Sequence, residues 1–141
     1  MCRSLSGGRA ILAVVSHSWG RPAGESDDGW VVVDVETSGF RPGHARVLSV
    51  AALALNHDGN VERSVVSLLN PGVDPGPTHV HGLTSKMLED QPTFGDIAGD
   101  LAELMDGRTM VAHNAAFDYS FLIAEAERAG IALPVDNVMC T

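Results

Sequence analysis

Two acidic side chains stand one residue apart at the end of an apolar run, in VVVDVETSGF (31–40). A strand sends alternate side chains to opposite faces, so Asp34 and Glu36 point the same way. At about 4 Å and an effective dielectric near 20, two such charges repel by roughly 4 kcal/mol. Water at a solvated strand end, an arginine clamp or a divalent cation would each relieve that repulsion. A third acid, Asp118, lies in VAHNAAFDYSFL (111–122), where a short strand runs into a helix and the acid falls in the first helical turn. There it complements the helix dipole, an adequate reason for one acid. The dipole does not account for acids at the carboxyl ends of two strands, where the ligand sites of open α/β sheets gather.

The elements that must position these acids follow from periodicity. Residues 30–36 read as a strand, its three successive valines indicating burial, and RVLSVAALALN (46–56) as a second. HDGN (57–60) supplies an Asp-Gly turn, and VERSVVSLL (61–69) returns as a third strand. NPGVDPGP (70–77) is too rich in Pro and Gly for anything but a surface loop. Thr84 caps a short helix over SKMLED, and Thr93 caps a longer one with Phe94, Ile97, Leu101 and Leu104 at helical spacing. Residues 109–113 form a short strand, Asn114 is a candidate N-cap for the helix over 115–129, and Gly130 ends that helix. NVMCT (137–141) opens a further strand. Residues 1–28 mix Ser, Gly, Arg and Pro without a period and read as a poorly ordered leader, with 29–141 as a single domain.

Composition narrows the partners. The 141 residues are 45% apolar, enough for one core, and the formal charge of −9 excludes a broad basic surface that grasps nucleic acid by charge alone. An anionic substrate must be held by a few placed arginines, by backbone N–H groups or by metal ions. Cys2 and Cys140 lie far apart and outside any C-x-x-C pair, so neither a disulfide framework nor a thiolate zinc site is expected, and a cytoplasmic location is the default. The apolar run at 11–15 is too short to span a membrane, and no membrane partner is expected. His79 and His81 lack a third zinc ligand at sensible spacing. The acidic stretches DLAELMD (100–106) and EAE (125–127) read as solvated helix faces.

DVETSG, then VHGLT, then HNAAFDYSFL, in that order over residues 30–141, resemble the DnaQ-like (DEDD) 3′→5′ exonucleases, which include the proofreading subunit of bacterial replicative polymerase. The resemblance implies a ribonuclease H-like α/β fold, a five-stranded mixed sheet with helices on both faces. It also implies two Mg2+ or Mn2+ ions, with Asp34 bridging, Glu36 on one ion and Asp118 on the other through water. Such ions activate a water and stabilise the leaving 3′ oxygen in phosphodiester hydrolysis. By the same resemblance Thr37, Ser38 and Gly39 form a turn whose backbone N–H groups approach the terminal nucleotide, and His81 sits near its phosphate or sugar. Ordinary readings stand beside these: a turn after a strand, and a loop histidine with a backbone partner. Asn114 is a helix cap or a nucleotide contact, and Phe117 is core rather than a stacking platform. Where many relatives have an acid in the second strand, this chain has Ser49.

The family pattern continues with a His, and an Asp five positions later, on a C-terminal helix that supplies the general base and completes a metal site. These 141 residues do not contain it. His113 and Asp118 match H-x-x-x-x-D only because both belong to the second motif. The expectation is therefore an incomplete domain with weak activity alone, and an unidentified general base. Three functions remain open from sequence. One is a 3′→5′ exonuclease working on single-stranded DNA 3′ ends in proofreading or repair, with a DNA polymerase partner. The others are an RNA-trimming exonuclease and a non-catalytic exonuclease-like binding module.

Overall fold

The computed structural model describes residues 13–15 and 29–141. Ten elements follow in chain order. They are β1 (Ala13–Val15), β2 (Trp30–Thr37), β3 (Val47–Leu55), β4 (Val61–Leu68), α1 (Thr78–His81), α2 (Ser85–Leu88), α3 (Phe94–Met105), β5 (Arg108–Ala112), α4 (Ala115–Ala129) and β6 (Val135–Cys140). The strands form one mixed sheet in the order β1-β4-β3-β2-β5-β6. β2, β3 and β4 are antiparallel neighbours, whereas β5 runs parallel to β2 and β6 parallel to β5. Ala13–Val15, inside the expected leader, pairs antiparallel with β4. The rest of 1–28 lies outside the described residues.

β2 corrects one expectation. Its valines are not buried on both sides: Val31, Val33 and Val35 are buried, while Val32 is 38% exposed on the face that also carries Asp34 and Glu36. The strand alternates, as a sheet with one covered face requires. That covered face packs on α3 and α4 through Val50, Ala52, Ala54, Val65, Ile97, Leu101, Leu104, Phe121 and Leu122. Both long helices of the described residues therefore lie on the same face rather than on opposite ones. A smaller cluster of Leu48, Leu83 and Leu88 fastens α2 to the start of β3.

The helix boundaries are chemically determined. Thr93 and Asp96 form a reciprocal capping box at α3, with Thr93 N–H donating to Asp96 Oδ2 at 2.9 Å and Asp96 N–H to Thr93 Oγ1 at 3.3 Å. Thr84 Oγ1 accepts from Met87 N–H at α2. α4 ends at Gly130, whose φ of +70° suits a residue without a side chain. Asn114 occupies the N-cap position of α4 but its side chain makes no capping hydrogen bond. Cys140 ends β6, and Cys2, the only other cysteine of the sequence, lies outside the described residues. Among the described residues no helix is long and apolar enough to cross a membrane.

Candidate active site

The pairing of β2 with β5 extends only from Trp30 to Val32, so the second half of β2 runs on past it. β5 ends at Ala112 and the chain turns into α4 there. The backbone amide of Val35, beyond the parallel ladder, donates to Asp118 Oδ1 at 3.1 Å. This bond joins segments 83 residues apart and brings the first turn of α4 against the strand that carries Asp34 and Glu36. Asp118 is 3% exposed.

The three acids sense one another. Burial first, then the charges of Asp34 and Asp118, push the Glu36 carboxyl up to about 7. Burial raises Asp118 to about 6, against the lowering effect of the Val35 hydrogen bond, and Asp34 adds to the rise. Like charges drawn together in partly desolvated surroundings are what a cation would relieve. The donor set, carboxylate oxygens only, fits a hard divalent ion. Among the described residues no three His, Cys, Asp or Glu side chains close into a cage by themselves.

Ser49 lies directly across from Glu36 in the β2–β3 register, and Ala51 across from Asp34. A carboxylate at 49 would place a like charge opposite Glu36; the hydroxyl does not.

The other residues singled out from sequence separate here. Ser38 N–H donates to Arg46 O at 2.9 Å and Ser38 Oγ accepts from Arg46 N–H at 2.9 Å, so the Ser38 amide is committed within the turn. Thr37 Oγ1 donates to Gly39 O at 2.6 Å. A Cβ on Gly39 would sit 3.2 Å from Ala45 Cβ, so the turn is packed closely there. His81 has backbone partners at both ring nitrogens: Leu83 N–H donates to its Nδ1 at 3.0 Å, which leaves Nε2 to donate to Pro75 O at 2.7 Å. Phe117 packs on Phe121, ring centroids 4.7 Å apart, at the margin of the core. His113 follows β5, and its Nδ1 lies 3.5 Å from Thr141 Oγ1.

Glu125 is the residue that sequence reasoning placed wrongly. It is not on a solvated helix face but 2% exposed, and Arg46 grips both its oxygens: Nε to Oε1 at 2.7 Å and Nη2 to Oε2 at 3.0 Å. The signal was in the spacing. Glu125 follows Asp118 by seven residues, two helical turns, and Phe121 by four, which puts all three on the buried face. Phe40 was also passed over. It directly follows the 37–39 turn and is 80% exposed.

Residues 31–141 match the model of the Exonuclease (RNase_T) family. The chain belongs to this family. Among its relatives are the 3′-5′ exonuclease DinG of Bacillus subtilis, 30% identical over 115 residues that make up 79% of this chain and 12% of that protein. DNA polymerase III subunit epsilon of Escherichia coli is 30% identical over 118 residues, 78% of this chain and 48% of that protein. The same subunit of Haemophilus influenzae is 29% identical over 117 residues, 77% of this chain and 45% of that protein. The chain thus spans less than half the length of these curated relatives. Exonuclease I, solved without ligand, superposes with a TM-score of 0.70 at 19% identity, over 81% of this chain and 29% of that one. That likeness establishes the ribonuclease H-like arrangement of mixed sheet and flanking helices. It is an exonuclease-family domain, similar to the DnaQ-like 3′→5′ exonucleases, in a family that generally uses divalent metal ions.

Proposed function

We propose that this domain removes nucleotides from DNA 3′ ends, with Asp34, Glu36 and Asp118 holding Mg2+ or Mn2+. The observation that carries the reading is the convergence of these carboxylates where β2 passes the end of β5, with Glu36 and Asp118 both raised by burial and by neighbouring negative charge. When bound, the ions supply an activated water and stabilise the leaving oxygen. The chain's own residues do the rest. Asp34 and Glu36 are presented on one face of a strand whose other face is buried in the core, which fixes their direction. The Val35 N–H fixes Asp118 through Oδ1. Phe40, exposed beside the turn, offers a ring on which the base of a 3′-terminal nucleotide stacks. With a net charge of −9, the domain depends on such local contacts and on the metal for affinity.

DNA as substrate is supported by the polymerase subunits among the relatives, and by an exonuclease I solved in complex with a dA16 oligonucleotide. A polymerase partner belongs to the same proposal. The test uses 5′-labelled single-stranded DNA and RNA with the full-length protein in Mg2+, Mn2+ or EDTA. Stepwise shortening of DNA that stops in EDTA and in Asp34→Ala is expected. Shortening indifferent to chelator refutes the metal chemistry, and shortening of RNA alone refutes the substrate.

A further inference from the structure

The pair of half-buried Arg46 and buried Glu125 lies outside the carboxylate cluster, yet its contacts reach the Ser38 turn, the start of β3 and the 70–77 loop. Glu125 Oε1 accepts from the Val47 amide at 3.0 Å as well as from Arg46 Nε. Arg46 Nη1 donates to Pro71 O at 3.0 Å, and the Arg46 backbone makes the reciprocal pair with Ser38. Arg128 Nη1 adds a second cation 3.3 Å from Glu125 Oε1, while its Nη2 donates to Gly43 O at 2.6 Å. Gly76, in the 70–77 loop, lies against Ser38 O so closely that a Cβ there would collide with it.

α4 therefore carries two acids on its buried face, two turns apart, and each accepts from a strand amide: Asp118 from Val35 on β2 and Glu125 from Val47 on β3. Val47 pairs with Thr37, just past the register shift that follows Glu36. One end of α4 bears a site acid; the other is clamped by a two-pronged guanidinium.

We propose that Arg46 is a positioning residue for the metal site: by clamping Glu125 it holds α4 in the register on the sheet that brings Asp118 to Asp34 and Glu36. The inference rests on the metal-site reading above. Two point contacts fix a helix in translation and rotation where one leaves it to pivot. The fork geometry is what fixes it, so a lysine, with the charge but a single donor point, does not replace Arg46.

The test measures Mn2+ affinity of the full-length protein by calorimetry, without substrate, together with hydrogen exchange of the Val35 and Val33 amides. Arg46→Lys and the near-isosteric Glu125→Gln are expected to weaken Mn2+ binding by about tenfold or more, the usual scale for residues that orient a ligand. Exchange at Val35 is expected to quicken in both while Val33 stays protected. Unchanged affinity in variants that keep Val33 protection overturns the inference and leaves the metal site standing. Absence of Mn2+ binding in the unsubstituted protein removes the site reading, and the inference with it. Loss of Val33 protection in both variants makes the pair a requirement of the fold and overturns the positioning role.

Discussion

Glu36 and Asp118 keep their protons to higher pH than ordinary carboxyls, and the sign of the consequence is fixed. A raised acid binds more protons folded than unfolded, so its stabilising effect is complete below the ordinary values, 4.5 for Glu and 3.8 for Asp, and is lost as pH rises through about 6 for Asp118 and about 7 for Glu36. Without metal, the melting temperature should fall between pH 5 and 7.5; with saturating Mg2+ the fall should shrink, because the cation favours the charged forms. A metal-free profile that rises over that range contradicts the coupling. Asp118→Asn should raise the melting temperature of the metal-free protein at pH 7.5, since the amide oxygen can still accept from Val35, while reducing Mn2+ binding at least tenfold. Phe40→Ala should raise KM for oligonucleotide more than it lowers kcat, because a stacked base contributes about 1–3 kcal/mol of binding; an unchanged KM removes Phe40 from the substrate path. The candidate acids stand out in the sequence because type and spacing are local properties of Asp34, Glu36 and Asp118. Glu125 was not, because a carboxylate between Ala124 and Ala126, two residues before Glu127, looks like surface until its position is counted from Phe121. Its partner Arg46 is 79 residues away, beyond any local pattern.

The elements that hold the site differ in how sharply sequence defines them. α4 was expected over 115–129 and spans Ala115–Ala129, because Gly130 stops it and its apolar positions recur at helical spacing. β3 and β4 were placed to within a residue by the Asn56–Asn60 turn, where Asn56 Oδ1 accepts from the amides of Asp58 and Asn60. The four residues of α1 and the three of β1 carry too little period to be read; α1 is closed locally by Gly82 N–H donating to Thr78 O, while β1 is defined by its pairing with distant β4. The 70–77 loop was legible as a loop but not as a support of the Ser38 turn. Two glycines of similar backbone separate these roles. Gly59 has φ +80° with open space around it, whereas Gly76 has φ +78° and lies against Ser38 O. Both alanine variants meet the left-handed penalty of about 1–2 kcal/mol. Gly76→Ala should lose at least about 1 kcal/mol more in denaturant unfolding, because a carbonyl must move as well. Equal losses would show that the loop does not bear on the turn.

For the whole molecule, one sheet face is covered by α3 and α4 while Asp34 and Glu36 stand on the other, and on the reading proposed above an anionic substrate must approach a protein of net charge −9. Net charge was legible from composition, and its consequence is quantitative. With only a few arginines to contact phosphates, the logarithm of single-strand affinity should fall with the logarithm of salt at a slope shallower than about 2, and EDTA should abolish the binding that remains. A steep slope that persists in EDTA would mean that a basic surface outside the described residues governs affinity. Which sheet face is open was not legible, because the valines of β2 read alike until their neighbours are in place. The most direct test of the central claim is an anomalous difference map from crystals of the full-length protein soaked in Mn2+ with a nucleoside monophosphate. The expected result is anomalous density among the carboxylates of Asp34, Glu36 and Asp118. A map at saturating Mn2+ without density among these three carboxylates would contradict it.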